Sequence, residues 1–117
     1  MYGIEKKNAF TLEPGDAIHI VFKGMTVYDD FKKLHSSFLC HDFSNSELSA
    51  FKRQLIKTPE LNGLVIRKEG YEYIRVGFCP FGPCFRPAIM SIDIRDIDEG
   101  YIEIVKLVPE VNSDECV

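Results

Sequence analysis

The apolar positions of this chain change period twice, and each change marks a new kind of element. Residues 1–16 show no sustained period, and Glu13-Pro14-Gly15-Asp16 is a turn signal, so this stretch reads as an irregular extension. Ala17 to Lys23, AIHIVFK, is rich in Ile and Val and predicts a strand closed by Gly24. Val27, Phe31, Leu34 and Phe38 then recur at helical spacing. Thr26 and Asp29 supply an S/T-x-x-D/E start, which predicts a helix over Val27–Leu39. Ser44 and Glu47 form a second capping box, with Phe43 and Leu48 placed as a hydrophobic staple. Leu48, Phe51 and Leu55 supply the buried stripe of a helix over Asn45–Lys57. Thr58-Pro59 ends it, because proline disfavours helical geometry in the residue before it. Two helices joined by a short loop make an antiparallel hairpin.

After Gly63 the period becomes two. Leu64–Lys68, Tyr71–Phe78, Ala88–Arg95 and Tyr101–Val108 read as strands separated by short turns, which favour antiparallel neighbours. In the second of these, Ile74, Val76 and Phe78 point one way, while Tyr71, Tyr73 and Arg75 point the other. The expected core is Phe31, Leu34, Phe38, Leu48, Phe51, Leu55, Ile74, Val76, Met90 and Ile92. Strand, helical hairpin, then three to four antiparallel strands define a single α+β domain with the helices on one sheet face. Residues 112–117 read as a loose tail.

Composition narrows the field. A chain of 117 residues suits one domain, and 45% hydrophobic with 27% charged residues is the balance of a soluble globular protein. The opening residues hold no apolar run suited to a signal peptide, and no stretch is long enough to span a bilayer. A cytoplasmic location with reduced thiols and no membrane partner is therefore expected. Fourteen Lys+Arg against 18 Asp+Glu give a net charge of −4, which disfavours RNA or the ribosome as partner and favours protein.

Candidate chemistry concentrates in residues 77–87, GFCPFGPCFRP. Cys79 and Cys84 are separated by four residues, and zinc asks for four ligands, so a metal reading must recruit Cys40 and His41. A Cys79–Cys84 disulfide is the second reading, opposed by the compartment. The favoured reading is a hairpin connection that carries no metal, with reduced thiols and prolines that prevent edge pairing. Phe81, Phe85 and Arg86 of this loop join Tyr71, Tyr73 and Arg75 as candidate binding residues. Tyrosine and arginine suit base stacking and protein hot spots alike, and tyrosine is also common on half-exposed strands. Asp93, Asp96, Asp98 and Glu99 lack the spacing of a calcium loop and read as a solvated turn. His19 in a strand and His35 on a helix read as structural. No catalytic triad order, phosphate loop or dinucleotide glycine pattern occurs, so no cofactor is expected.

From about Ile18 to Val108 the chain resembles the RelE/HigB/ParE toxin superfamily, whose small domains run β-α-α-β-β-β. FKRQLIKTPELNGLVI is similar to the second helix, proline stop and following strand of HigB-like members. YEYIRVG, a glycine-containing loop and FRPAIMSIDIRD resemble the paired arginine-bearing strands. The resemblance implies a metal-independent endoribonuclease acting on ribosome-bound messenger RNA, with Arg75 and Arg86 on phosphate and Tyr71 or Tyr73 assisting. It equally implies a gyrase-binding member of the ParE kind. Tyr71 and Tyr73 stand where the nucleases hold lysines, and Lys106 alone supplies charge on the final strand. Two function classes follow. One is a toxin–antitoxin or defence protein that binds a macromolecular partner, antitoxin or target, through its exposed sheet face. The other is an active endoribonuclease toxin. An inhibitor or immunity-type binding protein of unrelated α+β fold is the third reading.

Overall fold

The structure is a computed structural model that describes residues 2–6, 11–39, 43–79 and 87–109. Its centre is β2, Ala17–Phe22, whose alternation buries Ile18, Ile20 and Phe22 on one face. On one side β2 pairs with β7, Ile102–Pro109, and β1, Tyr2–Lys6, lies beyond β7. On the other side stand β4, Glu60–Glu69, then β5, Tyr73–Phe78, β6, Ala88–Asp93, and the edge strand β3, Ser37–Leu39. The seven strands run in the order β1-β7-β2-β4-β5-β6-β3, and every pairing is antiparallel. The fold class is therefore α+β, as the pattern of the chain predicts.

Register builds the core in rows. Ile20 stands opposite Leu61 and Ile104, Val76 opposite Val65 and Met90, and Ile74 opposite Ile92. Residues directly opposite share a face, so these rows form one apolar surface. Helix α1, Asn45–Lys57, covers it and keeps the predicted boundaries. The Glu47 amide donates to Ser44 Oγ (3.1 Å), and the Ser44 amide donates back to Glu47 Oε1 (2.9 Å). Phe51 and Leu55 are buried; the Phe51 ring stacks on Phe78 at 5.4 Å and meets Phe38 edge-on at 5.2 Å. Aromatic contacts of this kind add about 0.5–1.5 kcal/mol beyond area burial. Of the expected core, Leu34, Phe38 and Leu48 are partly buried against it and the other seven residues are buried.

The first predicted helix is corrected. Residues 27–39 form a short 3-10 turn, Tyr28–Lys33, followed by the edge strand β3, so they do not form the first arm of a helical hairpin. The cap also shifts by one residue: Asp30, not Asp29, accepts from the amides of Thr26 (2.7 Å) and Val27 (3.0 Å) and from Thr26 Oγ1. Beyond Lys33 the sequence His35-Ser36-Ser37 holds weak helix formers whose side chains compete for backbone groups. A distant partner then decides the outcome. The amides of His35 and Ser36 donate to the Asp96 carboxylate at 3.0 and 2.7 Å, and Ser36 Oγ donates to it at 2.5 Å. The same Ser36 Oγ accepts the Asp93 amide at 2.8 Å. Drawn to this end of β6, Ser37–Leu39 pairs with Ser91, Met90 and Ile89, and Phe38 still reaches the core.

Other boundaries move for related reasons. Tyr2–Lys6 is strand within the stretch read as irregular, and Leu12 is fully buried. Gly70, at φ +59°, makes the turn that takes Tyr71 out of β5. The acidic string is solvated only in part, at Asp98 and Glu99. Asp93 and Asp96 are buried, and Ile94–Asp98 forms the short helix α2 in place of a strand end. Cys40, His41, residues 80–86 and the 112–117 tail lie outside the described residues.

Two carboxylates give the fold an acid limit. Amide donation from Val27 and Thr26, with Lys33 and the Thr26 hydroxyl adding to it, holds Asp30 well below the usual carboxylate range. Side-chain hydrogen bonding from Arg95 lowers Asp93 against the opposing effect of burial. Both folded pKa values lie below the unfolded ones, so the native state binds fewer protons and stability is lost as pH falls. The melting temperature should hold steady down to about pH 4, the unfolded carboxylate value, and drop below it. Asp30→Asn should lower the neutral-pH melting temperature and flatten the acid decline. An unaltered decline in thermal melts of the variant contradicts this origin.

Candidate functional site

The face of the sheet turned away from α1 carries the candidate site. Across its middle runs the row Ala17, Leu64, Gly77 and Ile89, contributed by β2, β4, β5 and β6. Leu64 is 55% exposed and Ile89 37%. A register shift between Val65 and Arg67 adds Ile66 to this surface, 44% exposed. Gly77 makes room for it: a Cβ at that position would lie 3.3 Å from Ile66 Cδ1. Exposed Leu and Ile are thus grouped on one face rather than scattered singly.

Next along the strands come Arg67, Arg75 and Ser91, side by side. Two like charges directly opposite repel. Glu69 sits between them: its Oε1 accepts from Arg67 Nε at 2.7 Å and from Arg75 Nε at 3.2 Å. Arginine is a guanidinium held permanently charged, so this arrangement offers charge and directional donors but no proton shuttle. The following row holds Glu69, Tyr73 and Asp93. Asp93 is clasped by Arg95 through Nε (3.1 Å) and Nη2 (2.8 Å), so Tyr73 stands between this ion pair and Glu69 with its two arginines. On the other side of the apolar row, His19 Nδ1 lies 2.7 Å from Asn62 Oδ1.

Of the six residues proposed to bind or catalyse, the structure brings Tyr73 and Arg75 onto this face. Tyr71 stands in the adjoining turn, 78% exposed. Phe81, Phe85 and Arg86 lie outside the described residues, as do the Cys40, His41 and Cys84 members of the alternative metal set. Cys79 is described, with an exposed free thiol. Lys106, the cation carried over to the final strand, is 3.4 Å from Asp16. Sequence reasoning missed Leu64, Ile66, Arg67 and Ile89. The signal was present for the first two: an unbroken Leu-Val-Ile run cannot alternate, so it must present apolar groups on both faces.

α1 and the strands bound a groove of about 1280 Å³ whose lining includes Ala50, Gln54, Gly63 and Phe78 and extends to Ala17, Leu64 and Gly77 of the row above. Its floor is closely fitted at Gly63, where a Cβ would come within 2.5 Å of Val76 Cγ1 and 2.9 Å of the Gly77 carbonyl oxygen.

The fold and this face together define a small α+β protein whose candidate site is a surface, an apolar row edged by paired arginines. No helix among the described residues is long and apolar enough to cross a membrane. The chain matches no protein-family model, no curated protein and no solved structure.

The charge balance of the face is directly testable. Wild type should be retained only weakly on heparin, because Glu69 offsets Arg67 and Arg75. Glu69→Gln should elute at clearly higher salt, with the shift lost on adding Arg75→Ala. Equal elution of wild type and Glu69→Gln would show that the carboxylate does not mask these cations.

Proposed function

We propose that this chain is a small macromolecule-binding protein that docks a protein partner on the outer face of β4, β5 and β6. The observation that carries the reading is the exposed apolar row of Leu64, Ile66 and Ile89 with Tyr73, Arg67 and Arg75 beside it. An apolar centre with tyrosine and arginine at its margin is the composition of a protein interface. The partner's complementary surface presents apolar side chains to the row and carboxylates to the two guanidinium groups. The local resemblance of FKRQLIKTPELNGLVI and of the arginine-bearing strands to the RelE/HigB/ParE superfamily, without its paired helices, suggests the setting, a toxin–antitoxin or defence system in which the partner is the antitoxin or the target.

The nuclease reading asks more of the face than its described residues offer. A metal-independent ribonuclease needs a phosphate clamp and groups that give and take protons near neutrality. Arg75 is engaged by Glu69, and Tyr73 is a weak acid. The net charge of −4 weakens attraction to RNA further.

Affinity capture from the cells that encode the chain tests the proposal. Wild type should enrich one protein partner stoichiometrically, and Leu64→Ser with Ile89→Ser should reduce that enrichment about tenfold or more. Both positions are exposed, so the variant's melting temperature should stay close to wild type. Equal capture by the folded variant overturns the assignment of the face. Transcript cleavage in a translating extract that Arg75→Ala abolishes overturns the binding reading in favour of the enzyme.

A further inference from the structure

Away from the sheet face, at the β3 end of the sheet, three side chains from two segments converge. The His35 ring, the Asp96 carboxylate and the Glu99 carboxylate each offer a ligand atom, and these atoms lie within 4.8 Å of one another. We propose that His35, Asp96 and Glu99 bind one divalent first-row transition metal ion, which ties the segment entering β3 to α2.

Asp96 is the fixed member. It is fully buried, its Oδ2 accepts from the Ser36 amide and hydroxyl, and its Oδ1 accepts one hydrogen bond, from the His35 amide. An ionised carboxylate oxygen takes about two such contacts, so Oδ1 retains one acceptor position for a cation. The Ser36 and His35 donors then serve as the outer shell that orients a ligating carboxylate. His35 and Glu99 are exposed and give an ion access. His35 also lies close enough to Asp93 to act on its carboxylate electrostatically.

Electrostatics favour an ion here. Two carboxylates share a small volume beside buried Asp93, and Arg95, the cation next to them, is hydrogen-bonded to Asp93 through Nε and Nη2 and acts on Asp96 only electrostatically. One imidazole nitrogen with two carboxylates is a donor set for zinc and its first-row neighbours, whereas calcium and magnesium favour all-oxygen shells. Metal–ligand bonds of about 2.0–2.2 Å call for ligand atoms closer together than the outer limit observed. Rotation of the two exposed side chains closes that gap while Asp96 stays in place. Three protein ligands leave a coordination position for water. The site is independent of the sheet-face reading and stands or falls alone.

The test is zinc and cobalt binding by the full chain after chelator treatment and removal of the chelator. Calorimetry should find one zinc per chain, with a higher melting temperature in its presence. His35→Gln and Glu99→Gln should each weaken zinc binding about tenfold or more. Both variants should still fold without metal, because both positions are exposed. Bound cobalt should show visible absorption without an intense near-ultraviolet thiolate band. Absence of binding up to millimolar zinc overturns the proposal, and so does undiminished affinity in either variant. A strong thiolate band overturns it too, by assigning the ion to cysteines.

Discussion

The buried carboxylate of Asp96 is the interaction on which this end of the molecule depends. A charge with no exposed surface is tolerated only when hydrogen bonds replace its water, and here three donors from His35 and Ser36 do so. Hydrogen bonds to an ionised group contribute about 1.5–3 kcal/mol each, enough to outweigh the weak helical preference of a His-Ser-Ser run. The consequence is a change of secondary structure. Residues 37–39 become the edge strand β3, which covers β6, and Phe38 enters the aromatic cluster from a strand rather than a helix.

Where local signals and long-range contacts agree, the sequence was a sufficient guide. Helix α1 has a capping box, a staple, an apolar stripe and a proline stop, all pointing the same way, and its boundaries are those predicted. The strands from Ala17 and Ala88 begin where their alternation begins. The 27–39 segment carries equally good helical spacing but no local means of sensing Asp96, about sixty positions away. Strand β1 is invisible for a similar reason, since its element is defined by pairing with β7. The order of the sheet, with β7 inserted between β1 and β2, also follows from pairings that no local period encodes.

The candidate site was legible in part. Alternation alone placed Tyr73 and Arg75 on the outer face. It did not show that Glu69 stands between Arg75 and Arg67, because that contact depends on a cross-strand register and a bulge. The difference matters for chemistry. Two arginines bridged by a carboxylate make a directional recognition patch whose positive charge is partly offset, whereas the same residues unbridged would make a phosphate clamp. The bulge that adds Ile66 and the glycine beneath it complete an apolar strip beside that patch. One backbone irregularity thus builds both halves of the proposed docking surface.

Hydrogen exchange, resolved by residue, tests most directly whether the Ser36–Asp96 contact selects strand over helix. Ser36→Ala removes the hydroxyl that joins Asp96 to the Asp93 amide while leaving the sheet's central strands untouched. The account predicts exchange of the Ser37–Leu39 amides faster by about tenfold or more, with β2 and β4 protected as in wild type. Unchanged protection at Ser37–Leu39 in a variant that has lost this hydroxyl would contradict it.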